Sequence, residues 1–369
     1  MRIRCFLVVA ALASPLAAQG NTALYSNWSG LGGFDFQRYG FDKGYVVQSG
    51  SQWSLPLVLV APLGSHASVD LTTHYAHTEV TDTATLTHSG LTDTQLRLLY
   101  TIGAQRAVAS VSINLPTGTN SFPRSSFHVA SAVSSTYLSF PVNNLGSGFG
   151  VTTGLAYAAP AGSWNIGLAG SVRAQANYHP FSDDSLNYKP GLEGRLRLGA
   201  DRLIGERGRV LLGMTFSTFS TDEFTGSSSS LQQPFNPGSR FISDLGYAYA
   251  WGRTTLTLGA WDYYRLAGSS AGASVPGSKE NVFNTEVRLA RQLSPRFALE
   301  PSVAFRQWSP DSVRGGRLWS FGTNIRFGLS DRVSGIASAR IGTGWIFDHV
   351  AGRSDVTATG LSLYLRYQR

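Results

Sequence analysis

The sequence predicts an all-β protein, an antiparallel transmembrane β-barrel of about 14–16 strands with short periplasmic turns and longer extracellular loops. Three observations predict it. Apolar and polar residues alternate in one segment after another, tight turns alternate with longer loops, and charge is scarce and confined to one face of each segment. Hydrophobic residues make up 42% of the chain and charged residues only 14%, against about 25% in soluble domains. Half of a barrel's strand positions face hydrocarbon, which accounts for the deficit.

The chain opens with Arg2 and Arg4, an apolar run from Cys5 to Leu12, and small residues at Ala17 and Ala18, the pattern of a secretory signal peptide over 1–18. Cys5 is the only cysteine, so the expected mature chain carries no thiol or disulfide. No other stretch reaches the roughly 18 consecutive apolar residues of a spanning helix. Net charge is +8, and +6 once Arg2 and Arg4 are subtracted. That balance suits lipid phosphates and acidic lipopolysaccharide on the outside, or a lumen biased toward anions; nothing beyond it favours nucleic acid.

Residues 19–51 are rich in Gly and aromatics and form either a lumen plug or a first strand. From 52 to 369 the alternation is clear, in segments near 52–62, 66–80, 91–104, 106–115, 147–160, 162–177, 188–204, 207–223, 238–252, 253–267, 281–294, 296–309, 314–330, 332–346 and 355–369. These fifteen imply fourteen or sixteen strands, since such barrels have an even number, with one missed near Tyr39 to Gln48 or one split wrongly. Short connections fall at 63–65, 104–105, 161, 205–206, 252, 294–295 and 330–331. Longer ones fall at 81–90, 116–146, 178–187, 224–237, 268–280 and 347–354, which puts the C-terminus in the periplasm. The loop 116–146, with Phe122, Phe127 and Tyr137, either folds inward as a constriction or caps the barrel from outside.

Parity sets the faces. In 162–177, Trp164, Ile166, Leu168, Val172 and Ala174 oppose Asn165, Ser171, Arg173, Gln175 and Asn177. With each outer face chosen from aliphatic residues, the ionisable residues fall inward, as an Arg at the bilayer midplane costs about 2–4 kcal/mol. The expected lumen-lining residues are Arg97, Arg173, Glu193, Arg195, Arg197, Asp201, Glu286, Arg288, Glu300, Arg306, Arg326, Arg340 and Arg366, accompanied by Asp70 and Asp244. Trp261 and Tyr263 are candidate solute-contacting aromatics. Arg291 and Arg317 fall outward near strand ends, and Asp262 falls outward in the company of Leu256 and Leu258, which a register-shifting bulge would explain. Trp164, Tyr178, Phe216, Trp251, Phe297, Trp319 and Tyr367 are expected to form the interfacial girdles.

The segment Gly360-Leu361-Ser362-Leu363-Tyr364-Leu365-Arg366-Tyr367 resembles the C-terminal assembly signal of outer-membrane barrels, although Gln368 and Arg369 follow its last aromatic residue. The resemblance implies the barrel assembly machinery as a partner. Around Gly90-Leu91-Thr92-Asp93-Thr94-Gln95-Leu96-Arg97 and Ile113-Asn114-Leu115-Pro116-Thr117-Gly118 the chain is similar to the outer-membrane proteins of aromatic-compound degradation, related in style to FadL-type hydrophobic-substrate channels. That resemblance implies passage of small hydrophobic molecules.

Other motifs point nowhere. His66, His74, His77 and His88 are the only histidine cluster, and His74 and His77 differ in parity, so no metal site and no cofactor is expected. Gly146, Gly148 and Gly150 precede a strand and make no phosphate cradle. Leu115-Pro116-Thr117-Gly118 marks a strand running into a loop, and Asn27-Trp28-Ser29 matches a glycosylation pattern that arises often by chance. The expected function is a bacterial outer-membrane channel for passive uptake of small solutes, hydrophobic or aromatic ones included, and not an enzyme. The rival readings are a structural or adhesive barrel with an occluded lumen and a barrel lipid hydrolase, for which no catalytic motif is present.

Overall fold

A computed structural model describes residues 27–42, 47–82, 84–103, 106–226, 234–270, 273–275, 278–311, 314–348 and 352–369. The expected signal peptide over 1–18 lies outside the described residues. Sixteen strands form the wall: β1 Ser29–Phe41, β2 Ser49–Leu63, β3 Ala67–Thr81, β4 in two runs (Thr85–Leu91 and Thr94–Ile102), β5 Ala107–Leu115, β6 Gly150–Ala161, β7 Trp164–Gln175 and β8 Glu193–Ile204. They continue as β9 Gly208–Phe219, β10 Arg240–Trp251, β11 Thr254–Arg265, β12 Glu280–Ser294, β13 Phe297–Pro310, β14 Gly316–Gly328, β15 Val333–Asp348 and β16 Gly352–Gln368. Each pairs antiparallel with the next, and β1 pairs with β16 from Ser29↔Gln368 to Phe41↔Val356, which closes the ring. Tight turns join the strands at the periplasmic end. At Gly162 and Gly252 the backbone takes φ of 63° and 58°, the conformation a two-residue hairpin turn requires.

The exterior explains the composition. Leu55, Leu57 and Leu59 on β2, Leu96, Leu98 and Tyr100 on β4, and Leu361, Leu363 and Leu365 on β16 are exposed. So much contiguous apolar surface is tolerated only against lipid. Arg38, Glu79, Arg202, Asp262, Arg291, Arg317, Arg353 and Asp355 share the outer parity, and each lies within three residues of a strand end. A charge there reaches the interface instead of the hydrocarbon.

Asp262 needs no bulge: β11 keeps register with β10 and β12, and the Asn281 amide donates to its Oδ1 at 2.7 Å. Trp164, Phe216, Trp251, Phe297, Trp319 and Tyr367 stand on the outer face near strand ends. Tyr178 does not belong with them. It lies beyond β7 in an extracellular loop, edge-on to Tyr188 at 5.4 Å.

Two elements differ from the expected segments. Ser29–Phe41, where a plug and a first strand were both open, is the first wall strand. Its interior Gly33 lies under the Tyr364 ring of β16, whose hydroxyl donates to Asp35 at 2.5 Å. The supposed loop 81–90 is mostly strand: β3 runs to Thr81 and Thr85–Leu91 pairs back onto it. Between the pairs Tyr75↔Leu91 and Thr72↔Gln95, β3 spends two residues and β4 three, so β4 carries a bulge at Thr92–Asp93. The bulge flips the parity, so that Leu86 and His88 face inward before it and Gln95 and Arg97 after it.

Candidate functional site

The lumen is shaped by the segment between β5 and β6, residues 116–149, which folds inward. Its neck is held by Asp93, which the bulge turns out of the ladder. The backbone N–H of Gly118 donates to Asp93 Oδ1 at 3.1 Å, and the N–H and hydroxyl of Ser147 donate to Oδ2 at 2.6 and 3.3 Å. One carboxylate therefore fastens both ends of the loop. The two arms cross at glycines: a Cβ on Gly118 would lie 2.3 Å from the Leu145 carbonyl oxygen, and one on Gly146 would lie 2.9 Å from the Gly118 backbone.

Beyond the neck the loop docks on β1–β3 and β12–β16. Val129 and Val133 of its short helix α1 (Phe127–Val133) pack against Val47 and Val80. Tyr137, Leu138 and Phe140 pack against Tyr39, Leu318, Ile346 and Val356. Polar contacts fix the register. Arg306 donates to the Tyr137 carbonyl at 2.6 Å, the Tyr137 hydroxyl lies 3.2 Å from the Arg317 and Trp345 carbonyls, and the Tyr39 hydroxyl donates to Leu138. Thr136 donates to Glu280 at 2.8 Å.

Gln52, on the β2 inner face and buried, treats Val142 as a neighbouring strand would. It donates to the Val142 carbonyl and accepts from its N–H, both at 2.8 Å. Gln52→Leu would strand both groups at about 1–3 kcal/mol each. We expect a correspondingly lower urea midpoint for the reconstituted protein, with the barrel retained.

The sequence-predicted residues stand on the interior face, and most meet in ion pairs. Arg340, Glu286, Arg288, Glu300 and Arg326 form a chain of alternating sign across β12–β15, with contacts of 3.4, 3.1, 4.0 and 2.5 Å. The Arg326 Nε contact with Glu300 is an ion pair without an aligned hydrogen bond. Arg97 pairs with Asp70. Arg197 reaches over β9 to Asp244 at 2.9 Å, and Gly213 makes the room, since a Cβ there would lie 2.3 Å from the Asp244 carboxylate. Asp201 receives Arg209 at 3.1 Å, and Glu193 receives Arg195 at 2.7 Å.

Arg173 reaches the Ser147 hydroxyl at 3.5 Å, beside the neck. Arg366 lies between Leu31 and Ser334 near the periplasmic end, apart from the rest. Trp261 and Tyr263 share the inner face of β11 with Arg265. Sequence reasoning missed Asp93, Gln52, Tyr39, Arg209, Arg240, Arg265 and Glu280. Parity could have supplied Arg209, Arg240 and Arg265; the others act through partners remote in sequence. Of the histidines, His74 faces inward, while His77 faces out and stacks on Trp53 at 5.6 Å.

Outer loops frame the mouth over β7–β10. Asn187–Lys189 pairs with Glu223–Thr225, and Tyr188 stacks on Phe224 at 4.9 Å. The Tyr188 hydroxyl and the Gly191 N–H both donate to Asp222 at 2.7 Å. Burial, then the nearby Asp222 and Asp93, push the Tyr178 phenol up to about 12, so that ring is a neutral part of the mouth.

Despite the loop, inward-facing side chains keep accessible surface. The side chains of Arg195 and Arg340 are 49% and 48% exposed although both point inward.

No family model matches the chain, and no curated protein matches it in sequence. Solved outer-membrane proteins align with most of the chain at low identity. A bacterial polysaccharide outer membrane secretin aligns with TM-score 0.49 and 10% identity over 92% of this chain and 98% of that one. An anion-selective porin from Comamonas acidovorans aligns with TM-score 0.46 and 11% identity over 93% and 98%. A Pseudomonas aeruginosa FadL homologue aligns with TM-score 0.45 and 11% identity over 96% and 94%. By its own strand pairing this chain is a closed sixteen-stranded antiparallel barrel with an apolar exterior.

Proposed function

We propose that the protein is a passive outer-membrane channel for small solutes, whose path runs between the inward loop and the wall formed by β6–β11. The observation that carries this reading is accessible surface inside the barrel: side chains that face the lumen remain about half exposed at Arg195 and Arg340. Both are ion-paired, and a barrel closed by packing would have buried those pairs as well. The loop docks on β1–β3 and β12–β16, and at the mouth its Phe122 and Arg124 also meet Phe181, Asp183 and Asp184 of the β7–β8 loop, so it narrows the lumen and leaves a side lined by Arg173, Arg195 and Arg197 with Trp261 and Tyr263. Such a lining suits small anions and flat, partly apolar solutes better than cations. The C-terminal strand fits recognition by the barrel assembly machinery, and the outer arginines fit lipopolysaccharide phosphates.

Planar-bilayer recording tests the reading. Discrete conductance steps with a reversal potential favouring anions are expected, and Arg195→Glu is expected to move that potential toward cations. Silent bilayers with correctly folded protein would overturn the channel and support the occluded structural barrel.

A further inference from the structure

Arg240 opens β10 on the interior face, in a row of cross-strand partners that runs Arg195, Ser217, Arg240, Arg265, Glu280 across β8–β12. Its direct partner is therefore another arginine, an arrangement that destabilises a sheet pair. The carboxylates around it are taken. Glu193 pairs with Arg195 at 2.7 Å, Asp244 with Arg197 at 2.9 Å, and Glu280 with Arg265 at 3.1 Å. Among the described residues Arg240 has no carboxylate partner, and its Nε is buried without a hydrogen bond.

An unpaired, partly desolvated guanidinium is costly, and an anion that enters would relieve it. The surroundings are aromatic. Phe219, one position beyond Ser217 on the same inner face, has its ring centre 4.6 Å from the guanidinium carbon, and Tyr263 stands on the inner face of the adjoining strand. Both lie on the wall that the inward loop leaves uncovered.

We propose that Arg240, flanked by Phe219 and Tyr263, is a binding subsite for aromatic carboxylates. The guanidinium takes the carboxylate in a forked contact and the rings take the flat apolar body. Arg195 and Arg265 add positive potential without surrendering their own partners. This assignment rests on the channel reading and names the solute class that the path would favour.

The test uses the full chain, in detergent for calorimetric binding and in planar bilayers for block. Benzoate is expected to bind, with acetate and the neutral benzyl alcohol markedly weaker. Arg240→Gln is expected to weaken benzoate at least about tenfold, equivalent to about 1.4 kcal/mol. Arg240→Lys, which keeps the charge and loses the fork, should fall between and guards against misfolding of the Gln variant. Phe219→Leu should shrink the preference for benzoate over acetate while leaving acetate unchanged.

Equal benzoate affinity in wild type and Arg240→Gln, or no preference for benzoate over acetate, would overturn the subsite. Normal conductance with no benzoate binding would sink the subsite and leave the channel standing. Binding that depends on Arg240 in a silent barrel would do the reverse.

Discussion

Glu300→Gln is expected to destabilise the barrel by about 3 kcal/mol. Glu300 is 1% exposed and stands between Arg288 and Arg326, with the Asn324 amide donating at 3.4 Å. It is the one carboxylate that Arg326 meets among the described residues and a second one for Arg288, and neutralising it leaves Arg326 without an anion beside a buried side chain. The effect should pass along the chain, because Arg288 also holds Glu286, which in turn receives Arg340 from β15.

A control separates this from surface charge. Glu223 pairs with Lys189 on an outer loop where both side chains are more than half exposed, so Glu223→Gln should change stability by less than about 1 kcal/mol. Urea unfolding from lipid vesicles, followed by tryptophan fluorescence, measures both. Equal shifts for the two variants would show that the interior chain contributes no more than a solvated pair. Exchanging Glu300 and Arg326 together for apolar residues of similar volume should recover much of the loss, because the desolvation penalty disappears with the charges.

Asp93→Ala is expected to free the inward loop and raise single-channel conductance, with added current noise, while the wall stays folded. Three hydrogen bonds end on that carboxylate, and bonds to a charged acceptor contribute about 1.5–3 kcal/mol each. The apolar contacts of Tyr137 and Phe140 would still hold the far side of the loop, so release begins at the neck. Trypsin offers a second measurement: cleavage after Arg124 should accelerate in the variant. Unchanged conductance and unchanged cleavage would mean that the loop is held by its docking side and by the contacts of Arg124 with Asp183 and Asp184, without need of Asp93. Asp93→Asn should be intermediate, since its single carbonyl can accept from Gly118 or from Ser147 but not serve both arms.

These two residues show what the sequence could and could not disclose. Glu300 was legible because parity is local: Leu299 and Val303 name the outer face of β13, and the even-numbered residues between them, Glu300 and Ser302, must look inward. The same logic located the strand faces wherever aliphatic residues recur on one side. It failed at β1, where Gly30, Gly32, Gly33 and Gly40 blur the contrast between faces, so that Ser29–Phe41 read equally as a plug. It failed again at Thr85–Leu91, where Thr, His and Ser carry the strand with little aliphatic marking. Asp93 was out of reach for a different reason. Its role depends on a bulge that turns it from the ladder, and on Gly118 and Ser147 arriving from the two ends of a long excursion. The pairing of Arg197 with Asp244 likewise depends on Gly213 being empty of side chain, a fact about space and not about alternation. Arg240 has the right parity, but what sets it apart is that its neighbours are already engaged, and only the assembled wall reveals that.

Thirteen rungs tie residues 29–41 to residues 356–368, so the first strand of the wall is zipped to its last. Until β16 arrives, β1 and β15 each present a bare edge able to recruit any extended strand nearby. Fastening them requires a contact across more than three hundred residues, the kind of pairing that slows folding most. Completion of the cylinder therefore waits on its final strand, and substitutions along β16 that leave the finished protein stable should still delay its assembly.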